Sequence, residues 1–441
     1  MDIICTQLKN FANEWEIFFQ KSEVNEIHLL KNKIHFVNKT FDSGYGIRIH
    51  EGGLGFSSSN IFTEEAVQRT IKNAFKNAKL AEKVEFSFPT QKPFRKVKCV
   101  DKKIKEENEE LLRNYIDEML ENLPPKVFIS FGKVRTYDSK IRIVNSEGLD
   151  VEREETHFMV ELSLMVKGKK VEFWPHEYRK RIDDLPAMKV KEWGKVARDQ
   201  VKATQPKTEK TTVIFSPSTV LDGLGSVLGY HSTGSAKVNE VTKFVPEEKF
   251  ASEKLTIVDD GLYPFGLMTS EFDDEGNPQK RRVLMKNGVF KDFIYDQFYA
   301  LKDGRESTGN GFRQAEVFYI FDSKYVTQPS NQISNFYVKP GRKSLEELIE
   351  EVEHGILIKK FSWLSPDQTS GSFSSEIRAG YYIEKGEIAE PIKGGLVAGN
   401  FFDLIQRISG ISNVSEITSG GTILAGVCPY IRFEDVQVAG R

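Results

Sequence analysis

At 441 residues the chain exceeds what one ordinary core supports, and the length prior divides it into two or three domains with ample material for large cores. Its 62 basic and 64 acidic side chains nearly cancel to a net charge of -2, which excludes a dedicated nucleic-acid binder that works by neutralising phosphates. Cys5, Cys99 and Cys428 are odd in number and widely spaced, so neither a disulfide framework nor a zinc knuckle is readable and a reducing cytoplasm fits. No run approaches the roughly 18 apolar residues a membrane span needs. The opening MDIICTQLKNFANEWEIFF lacks the basic start and continuous apolar run of a signal peptide, so we expect a soluble cytoplasmic protein.

In chain order, Leu8, Phe11, Trp15 and Phe18 stand at helical spacing and predict a helix over 3–20. Two strands are expected at 26–30 and 33–38, followed by Gly44, Gly46, Gly52, Gly53 and Gly55. A phosphate loop would set such glycines directly between a strand and a helix. The next helix starts only at Thr63, so tight turns are expected. That helix, 63–80, is capped by Thr63 with Glu64 and Glu65 in its first turn, and buries Val67, Ile71, Ala74, Phe75 and Ala78. A second, 106–122, carries Leu111, Leu112, Tyr115, Ile116, Met119 and Leu120. Between Lys126 and Trp174 the apolar period falls to two, which predicts an antiparallel meander. A Lys-rich amphipathic helix over about 189–203 buries Trp193, Val196, Ala197 and Val201.

The polar, aperiodic TQPKTEKTT at 204–212 reads as a linker. It separates an N-terminal domain, 1–205, divisible into 1–100 and 101–205, from a C-terminal domain, 211–441. The latter opens with a strand at 212–215 and a helix with Ser216 at the N-cap and Pro217 behind it. A helix over 344–354 begins with the capping box Ser344 to Glu347 and holds His354 in its last turn, at the negative end of the macrodipole.

The densest polar signals lie between 271 and 313. Asp273, Asp274 and Glu275 sit on a turn before Gly276, and Asn287-Gly288 marks a tight hairpin. Clustered carboxylates suit a hard cation. Adjacent acids in a loop more often accept backbone N–H groups and pair with Arg or Lys, and Lys280, Arg281 and Arg282 follow at once. Ser307, Thr308, Gly309 and Asn310, with Arg313, are the candidates to face a peptide, because Asn and Thr side chains pair with extended backbone and a sheet edge accepts an added strand. The pairs His50-Glu51 and His176-Glu177 fail the spacing of a metal helix: the positions one turn on are Leu54 and Gly55, and Lys180 and Arg181.

These motifs carry a resemblance. LTIVDDG at 255–261, DDEG at 273–276, NGV at 287–289, STGN at 307–310, TSGSFS at 369–374, AGN at 398–400 and VAGR at 438–441 fall in the order found in the TldD/PmbA (TldE) family. GYGIRI, GGLGFSSS and VNSEG in the N-terminal half match more loosely. The resemblance implies an α+β, two-domain fold with an N-terminal helix and antiparallel-sheet domain and a C-terminal mixed β-rich, barrel-like domain with helices. Catalytic members carry zinc on a helix with two His one turn apart and a Glu beside the first, completed by a Cys in a CGK context. Here the matching segment is TTVIFSPSTVLDGLGSVLGYHSTGSAKVNE. Aligned on Val227-Leu228, it puts Tyr230, His231 and Ser235 at the His, Glu and His positions. Tyr and Ser are poor zinc ligands. Residues 416–421 occupy the CGK region, and Cys428 lies beyond the Gly-rich loop beside Pro429.

The resemblance therefore implies the metal-free PmbA/TldE-like branch, with no catalytic residue and no cofactor of its own. Zinc would reside in a TldD-like partner forming a heterodimer that degrades unfolded peptides in a closed chamber. Apolar strands at 355–361, 380–383, 420–427 and 430–433 need their edges covered, so a homodimer is also expected. Neither nucleic acid nor membrane is an expected partner. Two alternatives stand beside this reading: an autonomous metallopeptidase using His231, Glu240 and Cys428, and a regulatory binding protein of the DNA gyrase modulator type, the family's older name.

Overall fold

Runs rich in β-branched and aromatic residues favour extended chain, and between 14 and 166 they build four strands of 17 to 19 residues: Glu14–Leu30, Lys33–His50, Val127–Asn145 and Asp150–Val166. The computed structural model describes residues 2–314, 322–420 and 425–440. Within them these strands form the body of an antiparallel sheet, ordered Leu54–Ser59, Lys33–His50, Glu14–Leu30, Val127–Asn145, Asp150–Val166 and Glu172–Phe173, with His176–Arg179 also on Asp150–Val166. Helices Glu64–Leu80 and Lys102–Glu121 cover parts of one face, as their apolar stripes require. Thr63 caps the first of them by accepting the Ala66 N–H at 3.3 Å.

Strand Glu14–Leu30 corrects the expected helix over 3–20, of which only Asp2–Lys9 is helical. Trp15 and Ile17 pack against Glu64–Leu80, while Phe18 faces the other way onto Phe272 and Tyr325 of the second domain. A strand covered on both faces loses the alternation that would identify it. The glycines are likewise strand residues more than turn residues. Only Gly52 of the five has a positive φ. At Gly46 a Cβ would stand 2.6 Å from the Tyr325 carbonyl, so glycine there lets the second domain approach the sheet.

In the C-terminal domain five strands close on themselves: Glu209–Phe215, His354–Phe361, Ser372–Glu384, Leu396–Asn400 and Ala425–Ala439, the last pairing back to the first. Val213, Phe215, Ile356, Ile358, Ile377, Val397, Ile431 and Phe433 share its core, into which segment 217–231 inserts Val220, Leu221, Leu224, Val227 and Leu228. The sheet continues through Phe336–Val338, Ile257–Asp260, Arg281–Lys286 and Val289–Phe290, the last two joined at Asn287 and Gly288, both with positive φ as a tight hairpin demands. The second half of the expected linker is barrel strand, beginning at Glu209. The Ser344 capping box forms, but its helix is Leu345–Glu350 and His354 instead opens a strand, held between Glu209 at 3.0 Å and Glu384 at 2.9 Å. Residues 421–424 of the expected strand 420–427, and Arg441, lie outside the described residues. Among the described residues no helix is long and apolar enough to cross a membrane.

Candidate functional site

The acidic turn sits in the seam between the domains. Asp273, Asp274 and Glu275 are 0%, 0% and 1% exposed. The Asp273 carboxylate accepts the N–H groups of Glu275 at 3.0 Å, Asn277 at 2.9 Å and Gly311 at 2.9 Å. The cations expected from the adjoining sequence turn elsewhere, Arg281 to Asp260 and Arg282 to Asp292. Their place is taken by the N-terminal sheet. Arg48 bridges Glu16 and Glu275, at 2.6 and 2.9 Å, and Arg153 pairs with Asp274 while donating to the carbonyls of Phe272 and Asp273. Buried charge is tolerable only when paired and hydrogen-bonded in this way. Burial pushes Asp274 up, but Lys324 and Arg153 more than offset it and hold the carboxyl below its usual range.

The expected peptide-facing residues lie in this seam as well. Thr308, Asn310 and Arg313 are 6%, 1% and 1% exposed. The Thr308 hydroxyl accepts the Tyr295 N–H at 2.7 Å and donates to Asn310, whose Nδ2 donates to Asp259 at 2.8 Å. Half-buried Ser307 donates to the Tyr295 carbonyl at 3.2 Å. Gly309 has φ +80° and runs so close to the chain that a Cβ would lie 2.4 Å from the Pro278 carbonyl. Arg313 donates to Glu16 at 2.8 Å and stacks over Phe18. The carboxamide and guanidinium forks that suit an extended peptide are spent on the chain's own buried acids.

Zinc, which the resemblance would place on segment 217–231, does not fit the residues present. The helical segment ends at His231, and Thr233 caps a separate helix, Gly234–Val238, so Tyr230 and Ser235 do not share one helix face. Both His231 nitrogens are occupied: Nε2 donates to the carbonyls of Gln368 and Thr369 at 3.0 and 3.1 Å, and Nδ1 accepts the Lys243 N–H at 3.0 Å. Burial pushes its pKa down, which favours this neutral form. The Cys428 thiol is fully buried, pushed up by that burial, and donates to the Phe336 carbonyl at 3.7 Å. Among the described residues no three His, Cys, Asp or Glu side chains group to hold a metal, so His231, Glu240 and Cys428 do not form the alternative set.

The accessible site lies elsewhere. Strands Glu172–Phe173 and His176–Arg179 and helix Val190–Asp199 meet the ends of His354–Phe361 and Ile408–Ser419 around a cleft of about 210 Å³. Its wall includes Ser216, the N-cap before segment 217–231, and Ser218, Thr219 and Asp222 from the start of that segment. Asp222 sits in a π-helical turn, Leu221–Gly225, a local distortion frequent at functional sites. Gly223 permits that turn, since a Cβ there would lie 2.3 Å from the Phe401 ring.

Three of the chain's four tryptophans, Trp174, Trp193 and Trp363, line this cleft. Four cations, Arg179, Lys189, Lys359 and Lys360, face four acids, Glu177, Glu192, Asp222 and Glu416. Lys360 donates to the Trp174 carbonyl and Lys359 to the Tyr430 hydroxyl at 3.0 Å. Burial, with Lys360 and Lys133, pushes His176 down to about 4, so the cleft holds a neutral imidazole at pH 7. Sequence reading missed the cleft. Its available signal was large aromatics set among charges outside any periodic run, in FWPHEY and KKFSWL. A second hollow of about 220 Å³ beside Tyr230 is lined by neutral groups, among them Thr233, Asn331, Gln332 and Gln368.

A family model described as the PmbA/TldA metallopeptidase C-terminal domain matches residues 208–440, and one described as PmbA/TldA metallopeptidase domain 1 matches 15–78. The structure is similar to TldE from Thermococcus kodakarensis, with a TM-score of 0.86 and 26% identity over 99% of this chain and 100% of that one. In sequence it is 27% identical to an uncharacterized protein of Methanocaldococcus jannaschii, over 91% of this chain and 92% of the relative. It is 25% identical to a metalloprotease TldD homolog of Buchnera aphidicola, over 100% of this chain and 95% of the relative.

Proposed function

This chain belongs to the PmbA/TldA (TldD/PmbA) metallopeptidase family, and on that premise we propose that it is the subunit without its own zinc in a two-subunit peptidase. The observation that carries the reading is the state of segment 217–231: its one histidine, His231, spends both nitrogens on backbone groups. A zinc peptidase needs open imidazoles and a bound water. The likeness to TldE supports the same side of the family. In this reading a zinc-bearing TldD-like relative supplies the chemistry, and this chain contributes walls that admit loose peptide and exclude folded protein by size. The cleft at Trp174 and Trp363 is its peptide-holding surface.

Two measurements test the proposal. Elemental analysis after dialysis against zinc should find far less than one metal ion per chain. Cleavage of unstructured peptides should be absent for the isolated chain and arise on mixing with a zinc-bearing relative from the same source. One tightly held zinc per chain, or chelator-sensitive cleavage by the chain alone, would overturn it.

A further inference from the structure

Exposed tryptophan is uncommon on a soluble surface, because the indole buries much apolar area when it finds a partner. Trp174 is 40% exposed and Trp363 58% exposed, and both border the cleft, one from each domain. Their backbones are held: the Trp174 carbonyl accepts the Lys360 ammonium, and the Trp363 carbonyl accepts the Ser375 hydroxyl at 2.6 Å. Two exposed indoles on one cleft, one from each domain, can act as a clamp that buries apolar area against a ligand. Trp193 lies deeper, 7% exposed.

The remaining chemistry narrows the ligand. Four cations and four acids around the cleft balance, which does not favour a phosphate chain or another strongly charged polymer. The free space in the cleft is about 210 Å³. That suits one large side chain with its flanking backbone and is too small for a folded domain. The Ser216, Ser218 and Thr219 hydroxyls supply donors and acceptors of the kind a peptide backbone uses.

We propose that this cleft selects short extended peptide segments by an aromatic side chain held between Trp174 and Trp363. The inference rests on the reading of this chain as a peptide-handling subunit and adds to it a substrate preference residing in the metal-free chain.

The test uses the purified full-length chain and two neutral probes, N-acetyl, C-amide tripeptides of sequence Ala-Phe-Ala and Ala-Ala-Ala. Binding is followed by quenching of intrinsic tryptophan fluorescence and by calorimetry. The phenylalanine probe should bind about ten-fold or more tightly than the alanine probe, as burial of one aromatic side chain implies. Trp174→Ala and Trp363→Ala should each abolish most of that preference while circular dichroism stays unchanged. Equal affinity, no measurable binding of either probe, or a preference surviving in both variants would overturn the inference. Activity on mixing with a zinc-bearing relative is measured separately. Its presence without aromatic selectivity sinks the clamp and keeps the subunit reading; selectivity without it supports the clamp and sinks the subunit reading.

Discussion

The seam and the cleft are both built where the two domains meet and both are crowded with charge, yet they use it in opposite ways. In the seam Arg48, Arg153 and Arg313 reach from one domain's surface to the other's acids, and Glu16, Asp274 and Glu275 have guanidinium or backbone N–H partners within the chain. In the cleft the charges rim an open space and two tryptophans stand exposed. A dense polar motif therefore marks how the domains are joined, and the ligand surface is made of residues that form no motif. If that contrast is right, substitutions in the seam register as stability and substitutions in the cleft register as binding.

The largest expected effect comes from breaking the seam. Arg48→Met leaves Glu16 and Glu275 buried without their bridging cation, and should cost about 3–5 kcal/mol in urea unfolding at pH 7. Arg48→Met with Glu275→Leu should recover part of that loss, because the second change removes one stranded charge. A loss below about 1 kcal/mol for the single variant would place Arg48 in the class of exposed ion pairs and erase the contrast.

A smaller effect follows from His176 in the cleft. Its folded pKa is about 4, against an ordinary value of 6.5. Between those values the unfolded chain binds a proton that the native state refuses, so its contribution is fully present above about pH 6.5 and is lost as pH falls toward 4. The shift corresponds to at most about 3 kcal/mol. Chemical unfolding of the native chain and of His176→Asn across this window should show the steeper decline in the native chain. Parallel curves would mean that His176 takes up its proton as readily in the folded chain as in the unfolded one.

How much of this was legible in the sequence depends on whether a residue's partner is near it in the chain. Thr63, the Ser344 capping box and the Asn287-Gly288 turn are local devices, and each forms where expected. The meander over 126–174 was readable because one side-chain period dominates it. The strand at 14–30 was not, because both its faces are buried. The acids of the 273–275 turn were placed correctly on a turn, but Arg48 lies 227 residues from Glu275, and no local rule nominates it. Trp174 and Trp363 become neighbours of one cleft only through the packing of two domains.

His231 supplies an intermediate case, a motif residue that turns out to be structural. His231→Phe keeps the aromatic contact with Phe402 but leaves two carbonyls and the Lys243 N–H without their partner. A loss of about 1–3 kcal/mol is expected, with zinc content unchanged by elemental analysis. A fall in bound metal in this variant would return His231 to the ligand set.

The smallest expected stability effect is the most discriminating. Trp363 is 58% exposed, so truncating it removes less than half of an indole's area from burial and opens no internal cavity. Its backbone carbonyl, which anchors the Ser375 hydroxyl, survives in Trp363→Ala. Unfolding free energy should thus fall by about 1–2 kcal/mol, below the roughly 3–5 kcal/mol of a fully buried tryptophan. The exposed part of the indole is what a ligand at the cleft can contact. If the variant instead loses about 4 kcal/mol or more, as a core tryptophan would, the indole is part of the fold, the cleft is a second seam, and the division between joining and binding surfaces fails at its decisive residue.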